Sequence, residues 1–140
     1  MVFEDKSEKI DLNKLAEIWS PFKSNIWVKL TSPITKEEIT KALEENNFQS
    51  PDVEVCHDLI WDISDRETHI KRIAWFVKNL DSEKYPIEID FGIPNLNLGF
   101  FEIYDGNHRL LAAYYREDKF IHVYCSGAVD EIKKYSYTEN

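Results

Sequence analysis

Cysteine is scarce in this chain, and its scarcity argues against two classes of protein. The 140 residues include only two cysteines, Cys56 and Cys125, without the Cys-x-x-Cys spacing of zinc and redox sites. A small secreted domain held together by disulfides would carry several cysteine pairs. Each cysteine adjoins strand-forming residues, so we expect both to be reduced thiols in the core.

Long apolar runs and an excess of basic residues are also missing. No stretch approaches the roughly 20 apolar residues that span a bilayer, and residues 1–10 lack the basic start and apolar core of a signal peptide. The 17 basic residues against 26 acidic ones give a formal charge of −9, whereas phosphate backbones are held largely by Lys and Arg. We therefore expect a cytoplasmic protein that neither crosses a membrane nor binds DNA directly.

What the chain does contain is the composition of one folded domain. Hydrophobic residues make up 43% of the sequence and aromatic residues 14%. That much apolar surface offsets the entropy lost when a chain becomes ordered. The length also matches the usual size of one domain, so we predict a single domain over residues 1–140.

Helical and strand-like patterns alternate along the chain and predict a mixed α/β (α+β) fold. Helical spacing or capping signals predict helices over residues 12–19, 36–46, 66–80, 107–118 and 128–135. Alternating or β-branched apolar runs predict strands over residues 25–31, 53–61, 85–92, 100–104 and 119–127.

Several local signals support these helices. Asp11 is a suitable N-cap for the first helix, and Thr35 with Glu38 forms a capping-box pattern at the start of the second. In the segment 66–80 the apolar residues recur at helical spacing, which makes it the clearest helix of the chain.

A polar corner follows the predicted strand 100–104. Gly106 lets the backbone turn sharply, and the first N–H groups of the next helix then point outward with the positive end of the helix dipole behind them. That geometry receives an anion. Arg109 adds donors matched to phosphate or carboxylate oxygens, and His108 can donate a hydrogen bond or move a proton near neutral pH. Phosphate is the expected ligand.

Asp105 complicates a phosphate site. Its carboxylate would repel phosphate unless a magnesium ion, a protonated group or a substrate hydroxyl lay between them. Asp105 could instead cap the helix, with Arg109 paired to it or to another acid, and the turn would then be purely structural. The residues alone leave both interpretations open.

The stretch YDGNHRLLAAYYRED, residues 104–118, resembles the DG-x-HR-x-x-A-A signature of the ParB/sulfiredoxin superfamily. In that superfamily the turn and helix start hold nucleotide phosphates, so the resemblance implies a nucleotide site made by Gly106, Asn107, His108 and Arg109. The order of elements over residues 53–126 is similar as well. The resemblance implies a small ParB/sulfiredoxin-like domain with an added N-terminal helical segment in residues 1–50, whose type matches no family that we recognise.

Position 107 departs from the best-known members of that superfamily. Sulfiredoxins carry their catalytic cysteine there, as GCHR, and ParB has GERR, with a glutamate used in CTP hydrolysis; this chain has Asn107. No helix-turn-helix segment follows the motif. Sulfinic-acid repair and a chromosome-partition clamp are therefore not expected.

The pattern is most similar to that of the superfamily's small-molecule kinases, such as free-serine kinases, which share an Asp-Gly-x-His-Arg turn. This resemblance implies a small-molecule kinase or nucleotide hydrolase in which Asp105 and His108 are catalytic. Asp105 would lie near magnesium or an accepting hydroxyl, with His108 and Arg109 near the transferring phosphate. The implied cofactors are a nucleoside triphosphate or diphosphate and Mg²⁺, and the implied substrate is a small hydroxyl-bearing acceptor.

A second interpretation comes from a different class of function. The chain would be a non-catalytic interaction or regulatory protein that keeps the turn as structure and engages a protein partner through its acidic surface. The charge of −9 and the unmatched residues 1–50 favour it, whereas Asp105, His108 and Arg109 together favour the site.

The other polar residues indicate a function less strongly than the polar corner does. His69 and Arg72 are three apart on the predicted helix 66–80, so they share a face that could bind an anion or another protein, although we expect an exposed helix face without a function. Glu88 and Asp90 share one face of a strand, which we expect to be solvated. His122 is expected on the outer face of the last strand.

Overall fold

The computed structural model describes residues 6–23, 30–50, 66–93 and 102–139, and only the backbone of residues 102, 104 and 105. The strand predicted over residues 53–61 lies outside the described residues, as does most of the strand predicted over residues 25–31.

The described elements form a four-stranded mixed sheet with helices packed on it, so the prediction of a mixed α/β fold is confirmed. The strands stand in the order β1-β4-β2-β3; β4 and β2 are parallel, and the two outer pairings are antiparallel. In chain order the elements are β1 Glu8–Asp11, α1 Leu12–Leu15, α2 Lys36–Glu44, α3 Arg66–Asn79, β2 Ile87–Asp90, β3 Glu102–Asp105, α4 Asn107–Tyr115, β4 Phe120–Ser126 and α5 Val129–Lys134.

We predicted an added helical segment in residues 1–50, but this part of the chain also contributes a strand to the sheet. Its first described element is the strand β1, which pairs with β4 and places Ile10, fully buried, opposite Ile121. Asp11 caps α1 as expected, because its Oδ1 accepts from the backbone N–H groups of Asn13 and Lys14. The helix is shorter than predicted, however, and ends at Leu15.

The outer side of β1 meets the end of the chain. The backbone N–H of Asp11 donates to the carbonyl of Tyr135 at 2.7 Å, and that of Tyr137 donates to the carbonyl of Lys9 at 2.9 Å. These bonds satisfy backbone groups that an edge strand would otherwise leave unpaired.

The helix α4 is buried on two sides because it lies between two apolar clusters. Leu110 and Ala113 pack with the isoleucines and valine of the sheet, and Leu111 and Ala112 pack with residues of α2 and α3. The helix therefore has two contact faces, one toward the sheet and one toward α2 and α3. This double burial fixes the position of the helix whose first turn carries the polar corner.

Two tyrosine hydroxyls tie the end of α4 to neighbouring elements. The hydroxyl of Tyr114 donates to the carbonyl of Leu12 at 2.7 Å, and that of Tyr115 lies 2.6 Å from Oγ1 of Thr40 in α2. The other end of α4, with the polar corner, points toward α3 and the segment that precedes β2.

The start of α3 is fastened to the start of α2. The predicted capping box of Thr35 and Glu38 is present, and Arg66 donates through Nε to Glu38 Oε2 at 2.7 Å. Arg66 also donates to the carbonyls of Ser32 and Pro33. The hydrogen bond from Arg66 lowers the pKa of Glu38 to about 2, so α3 is anchored by a charged contact.

The longest described helix, α3, spans 14 residues. Among the described residues no helix combines the length and the apolar character needed to cross a bilayer.

Candidate functional site

Gly106 makes the turn between β3 and α4, as the sequence predicted. Its φ of 108° lies in the left-handed region that side chains rarely adopt. A Cβ at this position would stand 2.3 Å from Cγ2 of Ile87. Backbone conformation and close packing thus both require glycine here.

Gly106, and not Asp105, occupies the N-cap position of α4, and Asp105 is the last residue of β3. The side chain of Asp105 lies outside the part that the structure describes. Its predicted roles as catalytic residue and magnesium ligand therefore stay predictions, whereas the predicted N-cap position belongs to Gly106.

The first turn of α4 presents the backbone donors that an anion site needs. In an α-helix the first N–H groups have no acceptor within the helix and carry the positive end of its dipole. The side chain of Asn107 lies beside them, and its Oδ1 is buried with no hydrogen-bond partner among the described residues. A buried acceptor of this kind favours a ligand that donates a hydrogen bond.

His108 is joined to His69 of α3. Nδ1 of His69 lies 2.8 Å from Nε2 of His108, and the two rings are nearly parallel, 18° apart. His69 is fully buried and His108 half-buried. The packing of α3 against α4 therefore fixes the orientation of the imidazole at the polar corner.

Arg72 lies one helical turn beyond His69, and it is buried as well. Its side chain is 6% exposed and its Nε has no hydrogen-bond partner. Among the described side chains no carboxylate forms an ion pair with it, and burial lowers its pKa. A guanidinium that is buried without a counter-ion costs several kcal/mol, and a bound anion would remove that cost.

The prediction that His69 and Arg72 lie on an exposed helix face is wrong. Both belong to the face of α3 that also carries Ile73 and Ala74 and packs against α4. A signal was present in the sequence: His69 precedes Ile73 by four residues and Phe76 by seven, which places it on the apolar stripe.

The surroundings of His108 disfavour its protonated, cationic form. Burial lowers its pKa well below the usual value, and the nearby His69, Arg72 and Arg109 lower it further. Both arginines thus lie close enough to His108 to act on its charge. These influences favour the neutral form of His108, whose ring offers one hydrogen-bond donor and one acceptor.

Arg109 makes contacts with the backbone that the sequence did not predict. Its Nη1 donates to the carbonyl of Tyr85 at 2.7 Å and to that of Pro86 at 3.3 Å. The side chain therefore ties the first turn of α4 to the segment that leads into β2. Part of the guanidinium is therefore engaged with backbone carbonyls, and its charge also lowers the pKa of His108.

The remaining candidates do not join this cluster. Glu88 is exposed, as expected, and Asp90 accepts from the backbone N–H of Gly92 at 2.8 Å. His122 contacts Ser82, with 3.1 Å between Nδ1 and Oγ. Among the described side chains no three His, Cys, Asp or Glu residues are grouped as metal ligands.

Cys125 fits the expectation of a reduced thiol. It is half-buried and forms no disulfide. Burial and the charge of Glu8 raise its pKa to about 12, so the reactive thiolate is not populated at neutral pH. Cys56 lies outside the described residues.

Comparison of this chain with models of known protein families, with curated protein sequences and with solved structures finds no match. The ParB/sulfiredoxin resemblance accordingly stays a hypothesis that rests on the motif of residues 104–118.

Proposed function

We propose that this protein binds the phosphate groups of a nucleoside diphosphate or triphosphate between the first turn of α4 and the middle of α3. The observation that carries the proposal is Arg72, a buried guanidinium with no counter-ion among the described side chains. A phosphate would supply the missing negative charge and accept its hydrogen bonds.

The charge distribution supports an anionic ligand at this place. The chain as a whole carries a formal charge of −9, yet Arg72 and Arg109 both act on His108 at the polar corner. Two cations beside a helix N-terminus are a combination that binds anions strongly.

The choice of phosphate over carboxylate rests on the number of donors. Arg72, the N–H groups of the first turn of α4 and the imidazole of His108 together offer more donors than one carboxylate can accept. That the phosphate belongs to a nucleotide is implied by the resemblance of residues 104–118 to the ParB/sulfiredoxin motif.

The proposed reaction is phosphoryl transfer to a small hydroxyl compound, or hydrolysis of the nucleotide. Asp105 and His108 are the proposed catalytic residues, and Gly106, Asn107, His108 and Arg109 line the nucleotide site. The carboxylate of Asp105 is the ligand type that Mg²⁺ prefers, and the ion would neutralise charge on the phosphates.

The first experiment is a calorimetric and melting-temperature screen of purine and pyrimidine mono-, di- and triphosphates at millimolar concentration with magnesium. We expect binding by at least one di- or triphosphate. Arg72→Met should weaken it by roughly 1.5–3 kcal/mol, the scale of a lost charge-assisted hydrogen bond.

A matched control is Arg116→Met, at the other end of α4. Arg116 is paired with Asp118 at 3.4 Å and plays no part in the polar corner. It should bind nucleotide as wild type does. The proposal fails if no nucleotide gives heat or a melting shift, or if both arginine variants bind equally well.

The contacts of Arg109 favour a second candidate, in which the turn is structural and the protein engages a protein partner through its acidic surface. Arg109 reaches the carbonyls of Tyr85 and Pro86, which explains its presence without a ligand. Under this candidate Arg109→Ala lowers the melting temperature and no nucleotide raises it.

A further inference from the structure

We infer that the ring of Tyr85 stacks on the base of the nucleotide whose phosphates bind at the first turn of α4, and that the site therefore prefers purine nucleotides. This inference rests on the proposed function, because it needs phosphates at the polar corner. It adds to that function the residue that holds the base and the class of base that is held.

The exposure of Tyr85 sets it apart from the other aromatic residues that the structure describes. Its side chain is 60% exposed, whereas the remaining aromatic rings among the described residues are buried or half-buried. A planar base laid on an exposed ring removes a large apolar area from water and gains the favourable geometry of stacked rings. The ring is therefore suited to a flat ligand, provided that such a ligand is held nearby.

Tyr85 adjoins the place where the phosphates are proposed to bind. Its carbonyl accepts a hydrogen bond of 2.7 Å from Nη1 of Arg109, the third residue of α4. Nη2 of the same arginine is 3.4 Å from the point that a Cβ of Gly106 would occupy. Two residues after Tyr85, Ile87 packs against Gly106 itself. The segment 85–87 thus runs along the polar corner, with the exposed ring at its start.

The backbone that carries the ring is held in place on both sides. The N–H of Tyr85 donates to the carbonyl of Asp81 at 3.0 Å, and the N–H of Lys84 donates to Oδ1 of Asp81 at 3.1 Å. Together with the bond from Arg109, these contacts satisfy both backbone polar groups of Tyr85. A ring on a fixed backbone loses little freedom when a ligand covers it, which favours binding.

Lys84 supports an anionic, aromatic ligand at this ring. Its Nζ lies over the ring of Tyr85, 5.4 Å from the centroid, in the range of a cation–π contact. The ammonium covers one face of the ring, so a base stacks on the opposite face. The exposed ammonium also adds a positive charge beside a ligand that carries phosphates.

Stacking on Tyr85 predicts which bases the site prefers. Every base has a π-face, so stacking on an aromatic side chain distinguishes poorly between bases of the same size. A purine covers more of the ring than a pyrimidine does, because it has two fused rings. We therefore expect ADP and GDP to bind with similar affinity, and both to bind several-fold more tightly than CDP and UDP.

The test is calorimetry of the full chain with ADP and with pyrophosphate, which lacks the base, both in the presence of magnesium. Tyr85→Ala keeps the backbone carbonyl that accepts from Arg109, so the phosphate part of the site stays intact. Its affinity for ADP should fall roughly fivefold to a hundredfold, the range for loss of one stacked base. Its affinity for pyrophosphate should not change. Tyr85→Phe keeps the ring and should bind ADP as the wild type does.

Val129→Ala is the matched control for removal of an exposed apolar side chain. Val129 is 63% exposed and follows β4, whose last residue, Ser126, pairs with Asp90 at the end of β2 away from Ile87. This variant should keep the wild-type affinity for ADP. In the wild type the base protons of bound ADP should also shift upfield in NMR spectra, because they lie over an aromatic ring. Tyr85→Ala should remove that shift.

The two proposals fail in different ways. Absence of binding by every nucleotide overturns the proposed function and this inference together. If Tyr85→Ala binds ADP as tightly as the wild type, or loses affinity for ADP and pyrophosphate equally, the inference alone is overturned and the phosphate site remains. Base protons that do not shift on binding would overturn the stacking, and tighter binding of CDP or UDP than of ADP would overturn the purine preference.

Discussion

The α-carbon of Gly106 lies against the side chain of Ile87, so close that a Cβ at position 106 would stand 2.3 Å from Cγ2 and 2.6 Å from Cβ of that isoleucine. Ile87 is fully buried in β2. The turn that begins α4 is therefore set directly by the sheet. Because this turn is packed against a buried residue, the core also fixes where an anion bound to the first turn of α4 would lie.

Gly106→Ala should destabilise the protein by about 2–4 kcal/mol. Overpacking against Ile87 costs roughly 1–3 kcal/mol, and a residue with a side chain at a φ of 108° adds backbone strain. Denaturant unfolding measures the change. An unchanged midpoint would show that the turn is not held against β2.

Glu38→Gln should reduce stability at neutral pH by about 1–2 kcal/mol, a figure reduced from that of a buried pair because both side chains are 30% exposed. Arg66 lowers the pKa of Glu38 from 4.5 to about 2. A depressed carboxyl pKa stabilises the fold above the unfolded value. This contribution is lost as the pH falls from about 4.5 to 2.

Melting curves from pH 7 to pH 2 check this prediction. The wild type should lose stability as the pH falls from about 4.5 to 2. Glu38→Gln should lose less stability over the same pH range. Glu37→Gln serves as control, since Glu37 lies in the same first turn without the contact to Arg66. If Glu37→Gln also lost less stability than the wild type on acidification, the pH dependence could not be assigned to the ion pair of Glu38 and Arg66.

Arg72→Met should raise the melting temperature of the protein in the absence of nucleotide. Methionine fills similar space and removes a buried charge that has no counter-ion among the described side chains. Replacing buried ionic groups by apolar ones is often stabilising, and a gain of 1 kcal/mol corresponds to about 3 °C for a chain of this size. A clear fall in melting temperature would instead assign Arg72 a structural role.

Asp105→Asn and His108→Ala should lower turnover far more than affinity, once the screen has identified a nucleotide that is consumed. Asn removes the charge needed to handle a metal or a proton, and loss of proton transfer by His108 costs roughly 10²–10⁴-fold in rate. The measurement is nucleotide consumption. His108→Asn, which keeps a polar side chain at this position, is measured beside His108→Ala. If these variants consumed nucleotide at the wild-type rate, the polar corner would bind nucleotide without taking part in catalysis.

Much of the fold follows from local sequence signals. The capping box of Thr35 and Glu38, the alternation in β2 and the glycine between β3 and α4 were all predictable, because each depends on residues a few positions apart. The conformation at Gly106 is a property of that residue type. The candidate site at residues 106–109 was found on the same local grounds.

Tertiary structure decided what covers each element. Nothing in residues 8–11 indicates that β1 pairs with β4 more than a hundred residues later, because strand pairing depends on partners that are distant in sequence. The same reason explains Arg72 and His69. Their spacing places them on one face of α3, but only the packing of α3 against α4 buries that face and brings both residues to His108.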